Sequence, residues 1–140
     1  MKKIVFVCLG NICRSPMAEF VMKSLTDHLK IESRATSSWE HGNPIHRGTQ
    51  AIFKKYAIAY DRDKTSQQIS PADFADFDYV IGMDESNVRD LKRMAPEDFQ
   101  HKIYQFEEES VPDPWYTGDF DQTYDLVLAG CKKWLERLDG

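Results

Sequence analysis

Long apolar runs are missing from this chain. The one near its N-terminus covers only residues 4 to 9, too short for a signal-peptide core or for the roughly 20 residues of a membrane span. Cysteine is scarce as well. Cys8, Cys13 and Cys131 form an odd set without the spacing of a disulfide framework, so free thiols in a reducing, cytoplasmic setting are expected, with no membrane partner. Basic clusters are absent too: the 18 Lys and Arg residues are scattered through a chain of net charge −5, which argues against a nucleic-acid partner. No second ligand pair accompanies Cys8 and Cys13 at metal-binding spacing, so no metal and no cofactor is expected. A nucleotide-type phosphate loop is excluded, because its Gly-Lys-Ser/Thr ending does not occur. Repeats, low-complexity segments and interdomain linkers are also lacking, and 140 residues predict a single domain, 1–140, with a real core.

What the chain does have is concentrated between Cys8 and Ser15, CLGNICRS, directly after the apolar run Ile4-Val5-Phe6-Val7. The run predicts a buried strand ending at Cys8. Ser15-Pro16 predicts a helix start, with Ser15 as N-cap and Pro16 in the first turn. Strand, loop and helix together form an anion cradle, its loop N–H groups and the helix N-terminus turned inward. Gly10 permits the tight curvature, and the forked Arg14 guanidinium can hold two oxygens of one tetrahedral anion. A field of that sign favours a thiolate at Cys8. The plainer reading makes Cys8 a small buried hydrophobe and Arg14 a surface residue; the strand before, the glycine inside and the helix start after argue against it.

Further along, the spacing of Ala18, Val21, Met22, Leu25 and Leu29 predicts a helix over 15–29, with Glu19, Lys23 and Asp27 outward. A strand is expected over 31–37, a Gly-Asn-Pro loop over 39–48 and a short helix over 49–56, followed by a polar connector over 61–68. Tyr79 to Met83 predicts a buried strand and Asp84 the cap of a helix that Pro96 stops. Ile103 to Phe106 is a fourth strand, 107–118 a polar loop with Glu107 to Glu109 as a solvated edge, and a last helix begins near Asp119. Strands alternating with helices predict an α/β fold: a parallel sheet covered on both faces, with its ligand site beyond the strand ends, where Cys8 falls.

A nucleophile aimed at a phosphomonoester needs an acid for the leaving oxygen. The residues alone leave Asp113, Asp84 and Asp119 open. Trp39, Trp115 and Tyr116 are loop aromatics that could line a substrate or simply pack on the sheet edge. Cys131 on the apolar face of the last helix reads as core.

The run VCLGNICRSPMAE resembles the low-molecular-weight protein tyrosine phosphatases, and the likeness continues through SRATSSWEHGNP, FDYVIGMDESN and VPDPWYTGDF. The resemblance implies a three-layer αβα sandwich with a four-stranded parallel sheet, flavodoxin-like. It implies hydrolysis of phosphotyrosine in protein substrates by Cys8 through a cysteinyl-phosphate, with Arg14 and the Leu9, Gly10, Asn11, Ile12 and Cys13 amides binding phosphate. Asp113, in Asp113-Pro114-Trp115-Tyr116, takes the place of the family's general acid. Ser15 can donate to the thiolate, Asn11 braces the loop and is braced by Ser33, and Trp39, Trp115 and Tyr116 flank the substrate ring. Ile12 stands where phosphoarginine-directed members carry Thr, which favours phosphotyrosine. Lys64 stands where many members carry a His near the Asp84 and Ser network. Cys13 could form a protective disulfide with an oxidised Cys8. A monomer or weak homodimer is expected. A thioredoxin-coupled arsenate reductase shares the cradle but needs a cysteine pair that is missing between Cys13 and Cys131. A non-catalytic phosphotyrosine-binding module would be expected to have lost Cys8, Arg14 or Asp113.

Overall fold

The computed structural model describes residues 1–139. Four strands form one sheet: β1 (Lys3–Cys8), β2 (Lys30–Ala35), β3 (Tyr79–Gly82) and β4 (Ile103–Gln105), in the order β2-β1-β3-β4. All pairings are parallel, with Cys8 opposite Ala35 and Val7 opposite both Arg34 and Gly82. Six α-helices connect and cover them: α1 (Arg14–Leu25), α2 (Arg47–Lys55), α3 (Pro71–Asp76), α4 (Glu85–Met94), α5 (Pro114–Thr117) and α6 (Phe120–Asp139), with a 3₁₀ turn at Glu97–Lys102.

Alternation along β1 divides the core. Ile4, Phe6 and Cys8 face a cluster that includes Met17, Val21 and Met22 of α1 and Val127, Cys131 and Trp134 of α6. Val5 and Val7 face Phe74, Phe77 and Leu91 on the other side, from α3 to α4. The result is the expected three-layer αβα sandwich with a flavodoxin-like parallel sheet. The chain runs from β1 outward to β2 and then crosses to β3 on the other flank, so the switch point lies at the carboxyl end of β1. Ligand crevices in such sheets open there. Among the described residues, no helix is long and apolar enough to cross a membrane.

Local physics adjusts several expected boundaries. Helix α1 stops at Leu25, short of Leu29, because Thr26 turns extended and its hydroxyl accepts the His28 N–H at 3.2 Å, a bond that competes with helix continuation. Leu29 still packs against the core, from the connection beyond the helix. Ser15 is not the cap: Cys13 holds that position without a side-chain bond. Pro16 sits in the first turn, where a missing N–H costs no intrahelical bond. Glu19 does not face outward, since α1 is buried continuously from Arg14 to Met22, packed between the sheet, α6 and α2. Helix α3 lies where no element was expected, started by Ser70 and Asp73 in a reciprocal capping box with Pro71 in the first turn. The loop over 107–118 contains the one-turn α5, capped by Asp113.

Candidate active site

The segment between β1 and α1 is a loop held from outside by its carbonyls. Cys8 O accepts from Thr36 N–H at 2.9 Å, Leu9 O from Ser37 N–H at 3.2 Å and Ile12 O from His46 N–H at 2.9 Å. Ser37 Oγ also donates to Leu9 O at 2.8 Å, Ser66 Oγ to Gly10 O at 2.7 Å, and Thr49 Oγ1 to Cys13 O at 3.2 Å. With the carbonyls turned out into the scaffold, the opposite edges of these peptides present N–H groups to the interior of the loop. Asn11 takes a left-handed backbone, φ +55°, a conformation that Asn tolerates better than most residues. Its N–H points at Cys8 Sγ, 3.2 Å away.

Beneath the loop, buried polar side chains brace that conformation. Asn11 Nδ2 donates to Ser15 Oγ at 2.8 Å and to Ser33 Oγ at 3.0 Å, while its Oδ1 accepts from Gln67 N–H at 3.2 Å. Ser15 Oγ lies 3.0 Å from Cys8 Sγ. Ser15 thus spends its hydroxyl beside the sulfur rather than on a helix cap, and Ser33 reaches Asn11 from β2.

Arg14, buried at the start of α1, is clamped from the opposite side. Its Nη1 donates to Asp84 Oδ2 at 2.6 Å and to Val111 O at 3.0 Å, and its Nη2 lies 3.4 Å from Asp113 Oδ2. Its Nε is buried without a hydrogen-bond partner among the described residues. Burial alone would weaken the guanidinium's hold on its proton; Cys8, the Asp84 hydrogen bond and Asp113 outweigh it and push the pKa up. Asp84 also caps α4 through Asn87 N–H at 2.7 Å. Lys64 does not touch Asp84. It donates to Ser33 O at 2.9 Å and sits 3.4 Å from Glu19 Oε1.

Above the loop opens a pocket of about 560 Å³. Cys8, Leu9, Gly10, Ile12, Cys13 and Arg14 form its floor, and Trp39, Glu40, Asp113, Trp115 and Tyr116 its rim. Trp39 and Tyr116 are 79% and 77% exposed, Trp115 56%, so these rings stand at the mouth instead of packing on the sheet edge. Of the three aspartates left open by the sequence, only Asp113 lines this pocket. Asp84 is committed to Arg14 and α4, and Asp119 accepts Gln122 N–H at 2.9 Å at the start of α6. Asp113 Oδ1 accepts Trp115 N–H at 3.0 Å, which fixes its carboxylate at the turn. Cys13 and Cys131 are buried free thiols. Among the described residues, no group of His, Cys, Asp and Glu could hold a metal ion.

Three side chains near the site carry no sequence signal of the kind used above. Glu19 falls on what spacing marks as an outer face. Glu40 follows Trp39 in a loop, and its carboxylate accepts from Asn43 Nδ2 at 2.6 Å. His46 reaches the loop through its backbone, which no motif can reveal.

Residues 3–140 match the family described as low molecular weight phosphotyrosine protein phosphatase. The low molecular weight protein-tyrosine-phosphatase PtpA of Staphylococcus aureus is 45% identical over 141 residues, covering 94% of this chain and 90% of its own. A crystal structure of the low molecular weight protein tyrosine phosphatase SP-PTP from Streptococcus pyogenes superposes with a TM-score of 0.97 at 63% identity, covering 99% of this chain and 93% of that one. The drosophila arginine phosphatase DARP superposes with a TM-score of 0.89 at 30% identity, covering 100% and 99%.

Proposed function

The chain belongs to the low molecular weight phosphotyrosine protein phosphatase family, and we propose that it hydrolyses phosphotyrosine in protein substrates through a cysteinyl-phosphate. One observation carries the proposal: Cys8, Arg14 and Asp113, from three separate stretches of chain, line one pocket over a loop whose carbonyls point away from it.

Cys8 Sγ attacks phosphorus in line. The loop N–H groups and Arg14 hold the three equatorial oxygens and neutralise charge that a metal would otherwise carry. The P–O bond to the aryl group breaks, and Asp113 delivers its proton to the departing phenolate oxygen. A water then attacks phosphorus from the side that the phenolate vacated. Asp113 takes its proton, the S–P bond breaks, and inorganic phosphate leaves with Cys8 restored. Ser15 supports the sulfur in both steps, and Asn11, held by Ser33, keeps the loop curved.

Trp39, Trp115 and Tyr116 suit a flat ring above a phosphoryl group, and Ile12 supplies an apolar wall. Residues 1–140 act as one catalytic domain, cytoplasmic, as a monomer or weak homodimer. Release of phosphate from an aryl phosphate without added metal tests the reading. Cys8→Ser is expected to abolish turnover while retaining oxyanion binding, and Asp113→Asn to slow it on the order of 10²–10⁴-fold. Unchanged turnover in Cys8→Ser removes the mechanism. Faster release from phosphoarginine than from phosphotyrosine would move the substrate class toward that of the drosophila relative.

A further inference from the structure

His46 touches both halves of the site without lining the pocket. Its backbone N–H donates to Ile12 O of the loop at 2.9 Å. Its Nδ1 accepts Gly48 N–H at 2.9 Å and caps α2, an arrangement that leaves the proton of the neutral ring on Nε2. The ring is held between two aromatic residues of the segment that carries Asp113. It stacks on Phe120 with centroids 5.1 Å apart at 17°, and meets Trp115 edge-on at 5.6 Å and 80°. Both are favoured aromatic geometries. Gly48 belongs to the same contact: a Cβ there would lie 2.4 Å from Phe120 Cζ, so Phe120 closes directly onto the first turn of α2.

These contacts bracket Asp113. On its N-terminal side the chain is anchored by Val111, whose N–H donates to Met83 O at 3.1 Å and whose carbonyl accepts from Arg14 at 3.0 Å. On its C-terminal side lies α5, a single turn closed by Gly118 in a left-handed conformation, φ +73°. One helical turn has little stability of its own. His46 supplies the second anchor by gripping Trp115 within that turn and Phe120 just beyond it.

From this juxtaposition we infer that His46 is a positioning residue for Asp113. Its ring sets the acid-bearing turn in register with the phosphate loop to which its own backbone is bonded. The inference rests on the reading of Asp113 as general acid. The ring carries the effect, and the Nδ1 cap serves α2 alone.

The test is kcat/KM on aryl phosphates of decreasing leaving-group acidity, from 2,4-dinitrophenyl to phenyl phosphate, in the parent, His46→Asn, His46→Phe and Asp113→Asn. Asn keeps an acceptor for Gly48 N–H and lacks the ring; Phe keeps a ring and lacks the acceptor. His46→Asn is expected to lose on the order of 10–100-fold on phenyl phosphate, the scale of a misplaced catalytic group. On the dinitrophenyl ester, whose phenolate departs without a proton, its loss should be under about threefold. His46→Phe should restore the shallow dependence. Equal losses on both esters, no loss on either, or a His46→Phe profile as steep as that of His46→Asn overturns the inference. Asp113→Asn separates the two levels. If it leaves the leaving-group dependence unchanged, the acid reading itself fails; if it steepens the dependence and His46→Asn does not, only the role of His46 fails.

Discussion

The Glu19 carboxylate accepts a hydrogen bond from the Ser33 hydroxyl at 2.5 Å, beneath the loop between β1 and α1. That bond sets the direction of the two bonds above it. Ser33, donating downward to Glu19, is left to accept from Asn11 Nδ2. The second N–H of the same amide goes to Ser15 Oγ, whose one proton has two acceptors in reach, Cys8 Sγ at 3.0 Å and Arg34 O at 3.3 Å. A glutamate in the second turn of α1 thereby orders donors up to the hydroxyl beside the sulfur. Lys23 lies on Glu19 Oε2 at 2.6 Å and Lys64 near Oε1 at 3.4 Å.

Glu19→Gln breaks this directionality, because an amide can turn an N–H toward Ser33. It is expected to lower kcat/KM on the order of tenfold, the scale of one misdirected buried hydrogen bond. Lys64→Met removes one of the two cations on a carboxylate only 3% exposed and should cost about 1–3 kcal/mol of stability. A lower urea midpoint at unchanged slope is the signature. Parent-like kinetics in Glu19→Gln would show that the sulfur does not depend on this chain of donors.

Burial keeps two thiols protonated. The Cys13 pKa is pushed well above the ordinary 9.0, first by burial and then by Cys8 and Asp113, and Cys131 is raised by burial alone. The unfolded chain loses these protons first. The stability they contribute is therefore fully present below 9.0 and is lost as pH rises beyond it. Urea midpoints followed from neutral pH into that alkaline window should fall, and fall less steeply in Cys131→Ala. Equal slopes in the two proteins would assign the alkaline loss to other groups.

Glu40 places a carboxylate on the rim of the pocket into which the proposed substrate would bring a phosphoryl dianion. Glu40→Gln should lower KM for a small aryl phosphate by about two- to fivefold at low ionic strength. Added salt should shrink the difference. A KM that does not respond to the substitution at low salt would mean that the carboxylate is screened from the phosphoryl group.

A Cβ on Gly130 of α6 would meet Phe106 Cε2 at 2.3 Å. Phe106 cannot retreat freely, because its ring packs edge-on to Phe6 at 5.8 Å. Gly130→Ala gains about 1 kcal/mol of helix propensity against about 1–3 kcal/mol of overpacking. The expected sign is destabilising, seen as a lower melting temperature, and a raised one would show that Phe106 has room to move.

Cys8, Arg14 and Asp113 could be named from sequence because their chemistry is local or motif-borne: a strand, a glycine-containing loop and a helix start put a cysteine in a ring of peptide N–H groups. The strands were legible because a two-sided parallel sheet needs apolar runs, and β1, β3 and β4 show them. Ser15 was legible as a residue near the thiol but misleading as a cap, since Ser-Pro signals a helix start without saying where the hydroxyl points. Glu19 was read as solvent-facing because periodicity reports one buried face, while α1 is enclosed on several.

The sequence by itself determined that Cys8 and Arg14 share one strand–loop–helix segment and that strands alternate with helices, both of which depend on residues close together in the chain. Tertiary structure decided what the residues apart from the family motif leave open: that Asp113 and neither Asp84 nor Asp119 lines the pocket, that Lys64 supports Glu19 and Ser33 and leaves Asp84 alone, and that His46 lies between the loop and the turn that carries Asp113. The reason is physical: hydrogen bonds and ring contacts between residues 30 to 100 positions apart are set by how helices and strands pack, and spacing along a chain carries no record of that.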